Sequence, residues 1–282
     1  MTQTNHSNPL KQYFRQPVIH IRLPSKGEFY PPNTLVMPPN GEIPVLPMTA
    51  VDEITYRTPD ALFNGSSVVS VIQSCVPHIR DAWVVPAMDV DTILVAIRIA
   101  SYGHTLEIAT QCPSCKTEEE YGLDLRQVMD QMKNPDYTKT IQYRDIELYF
   151  KPMTYKNLND NNAMQFEEQR VLNMLPDTEI SEQDKMSALS NALKKITEIT
   201  VRALSQSIST IKTPNALVTE PEYIEEFLKN CDRALFNQIR DHIINLKTES
   251  EIKPVAIKCV HCNHEYEQLL TLDMTSFFAA AS

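Results

Sequence analysis

The stretch QCPSCKTEEEYGLDL, residues 111–125, sets Cys112 and Cys115 three positions apart in a chain with six cysteines. A C-x-x-C turn offers two thiolates to one ion, but tetrahedral zinc takes four ligands, so two more must come from elsewhere. Far downstream, AIKCVHCNHEYEQLLTLD, residues 256–273, repeats the spacing with Cys259 and Cys262. The flanks match as well. An apolar alternating run leads in (Leu106 and Ile108; Val255 and Ile257), and an acidic, then apolar run leads out (Glu119, Leu123 and Leu125; Glu265, Leu269 and Leu272). Each unit reads as a β-hairpin with a cysteine knuckle at its tip. Because 143 residues separate Cys115 from Cys259, whatever lies between is an insertion within a split zinc ribbon.

Composition bounds what the ribbon can belong to. With 282 residues, 42% of them hydrophobic and 22% charged, the chain can bury one large core or two smaller ones. Its formal net charge of −10 argues against a sequence-independent grip on nucleic-acid phosphates. The best apolar run, TILVAIRIA (92–100), is far short of a bilayer span and contains Arg98. The first 16 residues hold no apolar signal-peptide centre, so synthesis in the cytosol is expected. In a reducing compartment, paired C-x-x-C units point to metal ligation before disulfides.

Outward from the knuckles, the chain reads as α+β: mostly helical, with short hairpins. Residues 1–48 form a polar arm followed by a strap. Eight of the 19 prolines lie between Pro17 and Pro47 among short β-like runs, which predicts extended chain and turns and excludes a helix. Residues 49–130 carry three or four helices and the first knuckle. Thr49 with Asp52 has the form of a capping box, Thr58 and Pro59 open TPDALFNG, and Gly103 ends the helix of DVDTILVAIRIASYG. Residues 131–250 comprise a hairpin turning at Arg144 and Asp145, amphipathic helices over 154–175 and 181–209, and one or two more over 221–249. Residues 251–282 hold the second knuckle and a tail.

The functional candidates are Cys112, Cys115, Cys259 and Cys262, as ligands of one structural Zn2+. Four buried core thiols, an iron–sulfur cluster or a redox dithiol are the alternatives. Neither pair opens a helix after a βαβ pattern, where a thiol pKa would be lowered. Four thiolates also leave a metal no open position for catalysis. Cys75 and Cys231 sit in apolar helical patterns and read as core. His261 and His264 neighbour a ligand set that the cysteines already complete. The remaining histidines have no nucleophile in relation to them. LPSKGEFY (23–30) falls short of a phosphate loop and reads as a turn, and the acidic runs read as solvated faces.

Longer stretches carry a family likeness. NPLKQYFRQPVIHIRLPSKGEFYPP (8–32), IPVLPMTAVDEI (43–54), TPDALFNG (58–65), VIQSCVPHIRDAW (71–83), DVDTILVAIRIASYG (89–103) and CPSC (112–115) together resemble the T4-like bacteriophage baseplate protein family. The likeness covers residues 8–130 and returns at the second knuckle, while 154–250 is recognisable only as helical. Members are hub subunits or hub assembly factors of contractile tails. The resemblance implies a structural role in the tail baseplate of the virion, reached from the host cytoplasm, with no enzymatic activity. Other hub and tail proteins are the implied partners, the tape measure protein being one candidate, and the chain is expected to be oligomeric within the assembly. Neither nucleic acid nor stable membrane insertion is expected. A nucleic-acid-binding zinc ribbon is the competing class, and it needs a basic, aromatic face near the knuckles. The arm and strap, with Tyr13, Phe14, Phe29 and Tyr30, suit either docking on neighbours or covering the chain's own helices.

Overall fold

A computed structural model describes residues 8–57, 65–174, 181–270 and 277–278. They fold as an α+β protein with two hydrophobic cores. The proline-dense strap is extended, as its composition dictates. Strand β1 (Ile19–Ile21) pairs antiparallel with β2 (Ile43–Val45), and Pro44 stands opposite His20 in this two-stranded ladder, where a missing donor costs little. Ile21, Leu23, Ile43 and Val45 turn inward and are buried. The Val36 amide donates to the His78 carbonyl at 2.8 Å and Leu46 to Cys75 at 2.8 Å, sewing the strap along the helices. Of the two roles open to the strap, covering its own helices is the one its inner face performs.

Under the strap lie α1 (Ala50–Tyr56), α2 (Ser66–Cys75) and α3 (Ala87–Tyr102). The Thr49–Asp52 capping box forms in both directions. Residues 58–64, which contain the expected Thr58–Pro59 helix start, lie outside the described residues. Helix α3 is apolar nearly all round, with Ile93, Val95, Ala96 and Ile97 fully buried, so it is the central pillar of the first core. Gly103 ends it at φ +88°, a conformation that costs glycine nothing. Asp89 on this pillar is fully buried. It accepts from the Ser25 amide (2.9 Å), the Ser25 hydroxyl (2.5 Å) and the Tyr30 hydroxyl (3.0 Å). Burial pushes its carboxyl up to about 6, against these three donors. The LPSKGEFY turn is thus a clasp on α3.

The arm is also pinned. Arg15 donates to the Pro47 carbonyl (2.5 Å), to Asp52 (3.1 Å) and to the Ser74 carbonyl (2.8 Å) and hydroxyl (2.7 Å). Just before it, Tyr13 and Phe14 remain 76% and 55% exposed.

The first ribbon hairpin, β3 (Thr105–Gln111) and β4 (Glu118–Asp124), is rooted in this core by Leu106 and Leu123 and runs into α4 (Leu125–Gln131). Beyond it stands a second core. Strands β5 (Ile141–Tyr143), β6 (Ile146–Phe150), β7 (Ile208–Lys212) and β8 (Leu217–Val218) form an antiparallel sheet in that order. Helices α5 (Tyr155–Met174) and α6 (Glu182–Gln206) make a hairpin between β6 and β7. Leu148, Phe150, Ile208 and Ile211 of the sheet pack with Ile224 and Leu228 of α7 (Pro221–Asn230) and Leu235, Ile239 and Leu246 of α8 (Arg233–Ser250).

The expected helix over 181–209 stops at Gln206. Ile208–Lys212 is a strand instead, because its β-branched residues lose less freedom in a sheet and find β6 as a partner. The two cores meet where Ala87 donates to the Met153 carbonyl (2.8 Å), Tyr155 donates to Val85 (2.7 Å) and Trp83 stacks on Tyr155. The second ribbon hairpin, β9 (Val255–Lys258) and β10 (Glu265–Gln268), then returns to the first.

Candidate metal centre

Each knuckle is built by its own sequence. In the first, the Lys116 amide donates to the Cys112 carbonyl (2.9 Å) and the Cys112 amide to the Thr117 carbonyl (3.0 Å). In the second, Asn263 donates to Cys259 (2.9 Å) and Cys259 to His264 (2.9 Å). The residue after the second cysteine is left-handed in both, Lys116 at φ +61° and Asn263 at φ +57°. The two turns therefore share one backbone design, and each buries its first cysteine while leaving the second exposed.

The 143 intervening residues bring these turns face to face. All four sulfurs lie within 4.8 Å of one another. Across the seam, Cys112 Sγ is 3.6 Å from Cys262 Sγ, and Cys115 Sγ is 3.6 Å from Cys259 Sγ. A tetrahedral ion with metal–sulfur bonds of about 2.3 Å has sulfur–sulfur edges of about 3.8 Å, so the cluster has the right size for one metal and is too open for disulfides. Backbone donors are aimed at the sulfurs. The amide of Thr117 reaches Cys115, and those of Cys262 and His261 reach Cys259.

Crowded thiols cannot all ionise without a counter-charge. Hydrogen bonds from Thr117 hold the Cys115 thiol down to about 6. At Cys259 the Cys262 amide favours the thiolate, but burial and the neighbouring thiols push the group up to about 12. A divalent cation would supply the missing charge and release the remaining protons.

Two contacts outside the knuckles join the hairpins. Thr110 Oγ1 lies 2.9 Å from the Tyr266 hydroxyl, and the Val260 amide donates to Glu119 at 3.4 Å. Neither is legible in the sequence, since each partner is some 140 or more residues away. The exposed faces of the ribbon carry Glu107, Glu118, Glu120, Glu265 and Glu267 against Lys116 and Lys258, so they are more acidic than basic, where a nucleic-acid ribbon needs a basic face. His261 and His264 stand outside the cluster of potential ligands, and His264 stacks on Tyr266. Cys75 is buried beneath Arg15, as expected of a core thiol, while Cys231 is half-buried at the margin of the second core.

A ribbon divided by a folded insertion and closed by four clustered thiols places the chain in the α+β class. The family model described as T4 bacteriophage base plate protein matches residues 19–279, and the chain belongs to that family. It is a structural protein of the phage baseplate. Membership implies a place in the virion tail and contact with other baseplate or tail proteins. No curated protein and no solved structure matches significantly. No helix among the described residues is long and apolar enough to cross a membrane.

Proposed function

We propose that the protein is a component of the baseplate hub of a contractile tail, acting through protein–protein contacts and stabilised by one structural zinc on Cys112, Cys115, Cys259 and Cys262. The convergence of four thiols from two matched knuckles is the observation that carries the zinc assignment. A bound zinc supplies no catalysis here, because four thiolates close its coordination. What it supplies is closure: both ends of the 131–250 insertion become fixed to the first core, and a loop of that length gains conformational restriction from one bond cluster. The exposed Tyr13 and Phe14, ahead of the Arg15 anchor, are the part of the arm suited to a neighbouring hub subunit.

Metal analysis of anaerobically purified protein tests the site, with about one equivalent of zinc per chain expected from a closed four-thiolate site. Less than half an equivalent overturns it, and stoichiometric iron replaces zinc with an iron site on the same ligands. Mass spectrometry of purified virions tests the hub role, since a hub component stays in the finished particle. For the arm, a chain beginning at Arg15 should keep its fold and metal yet enter baseplates poorly. Normal phage titre from that truncation removes the arm from the docking surface.

A further inference from the structure

The α5–α6 hairpin leaves an apolar stripe on α6 largely uncovered by the described residues. Helix α6 runs for 25 residues, about 37 Å, yet among its described side chains before Val201 only Ala192 is buried. Its contact with α5 lies on the face of Ala192, Lys195 and Ile199. Lys195 pairs with Glu168 at 2.8 Å, and Ile199 lines the same groove as Ala163 and Met164. Roughly 100° round the helix, Met186, Leu189, Leu193, Ile196, Thr200 and Ala203 follow one another at alternating steps of three and four. Met186, Leu189 and Leu193 are 65%, 37% and 51% exposed. The apolar arc of α6 is therefore wider than one neighbouring helix covers.

From this stripe we infer that a second copy of the chain packs α6 against α6 in antiparallel fashion, turning two hairpins into a four-helix bundle. The flanks select that occupant. Ser190 and Thr197 border the stripe on one side and Lys185, Ala192 and Ile199 on the other, so a partner helix with charged borders finds a single counter-charge, at Lys185, which in the antiparallel pairing below falls opposite the partner's Gln206. A copy of the same helix meets no like charge at these borders. Antiparallel alignment sets Leu193 against the partner's Ile196, Leu189 against the partner's Thr200 and Met186 against the partner's Ala203, so large side chains meet small ones towards both ends. The chain as a whole carries −10, which opposes self-association, but residues 182–206 hold four basic and three acidic residues, so this patch escapes that repulsion. The contact is two-fold and closed, needing no second surface.

Analytical ultracentrifugation of the full chain up to about 100 µM, a hundredfold above a micromolar Kd, reads the proposal directly. The wild type is expected at the mass of two chains. Leu193→Glu should weaken dimerisation at least roughly 100-fold, with helix content and bound metal unchanged. Leu193→Lys should do the same, and mixing the two variants should restore the two-chain mass, because residue 193 lies near its own symmetry mate. A wild type that sediments as one chain at the top concentration overturns the inference and hands the stripe to a different tail protein. A two-chain mass that survives both variants overturns it as well, by placing the dimer contact elsewhere.

Discussion

The first knuckle hangs from seven-residue strands, Thr105–Gln111 and Glu118–Asp124, whereas the second hangs from four-residue strands, Val255–Lys258 and Glu265–Gln268. Leu106 and Leu123 root the first in the main core. In the second, Ile257 is buried but belongs to neither large core, and contact with the first is made by half-buried side chains, Val255 and the flanking Ile252 and Leu270. Yet the two turns carry the same hydrogen bonds and the same left-handed residue. A knuckle's backbone is thus dictated within six residues, while its foundation depends on where the rest of the chain places it. The second knuckle has the weaker foundation, and its position rests on these half-buried contacts, the two hydrogen bonds to the first hairpin and the four thiols with whatever joins them.

The largest expected effect tests that dependence. Cys259→Ser removes a buried ligand from the knuckle with the weaker foundation, and should abolish metal retention with a loss of several kcal/mol. Hydrogen exchange should then rise across β9 and β10 while β3 and β4 stay protected by their own core. Cys75→Ser, which removes a core thiol outside the cluster, should cost only about 1–3 kcal/mol. Equal losses in the two variants, or loss of protection in both hairpins alike, would erase the distinction between a rooted and an unrooted knuckle.

Truncating the roots sharpens the contrast. Leu106→Ala opens a cavity in the first core and should cost about 2–5 kcal/mol of global stability, read by chemical denaturation. Ile257→Ala removes a side chain at least as buried, but from a two-stranded hairpin that can relax around it. It should move the global midpoint less and speed metal loss to a chelator more. The reverse order would show that the second knuckle, and not the first, anchors the ribbon.

What the sequence made legible follows the same division between local and distant causes. Capping at Thr49, the stop at Gly103 and the knuckle turns are set by residues a few positions apart, and all are found where chemistry places them. The proline spacing of the strap excluded helix for the same reason. Strand β7 was hidden because Ile208–Lys212 continues the apolar spacing of α6, and only the distant edge of β6 makes it a strand. The clasp of Ser25 and Tyr30 on Asp89, the Arg15 anchor and the Thr110–Tyr266 bridge pair residues from 32 to 156 positions apart, beyond any periodicity. Four cysteines were legible as a set only because two copies of one short pattern recur.

A smaller effect is expected at the bridge between the hairpins. Tyr266→Phe removes the hydroxyl 2.9 Å from Thr110 Oγ1. Thr110 keeps the Glu119 carbonyl as an acceptor at 3.3 Å, so nothing buried is left wholly unmet, and the net loss should be about 0.5–1.5 kcal/mol. A double-mutant cycle with Thr110→Val isolates the pair. Coupling near zero would mean that the thiols alone hold the hairpins together.

The smallest effect separates two turns that otherwise look alike. Lys116 and Asn263 both occupy the left-handed region, but asparagine tolerates it while lysine carries a cost of about 1–2 kcal/mol. Glycine relieves that cost and brings an opposing one, since it frees the unfolded chain by roughly 0.5–1 kcal/mol. Lys116→Gly should therefore stabilise the holo protein by a few tenths to about 1 kcal/mol, the difference between those terms. Asn263→Gly should be neutral or slightly destabilising, because there is little strain to relieve. Both substitutions keep the amide that donates to the carbonyl of the knuckle's first cysteine, Cys112 or Cys259, so metal content should not change in either. If Asn263→Gly gains as much as Lys116→Gly under denaturant, the left-handed residue is equally strained in both turns, and the shared backbone is imposed by the cluster of sulfurs instead of by local sequence.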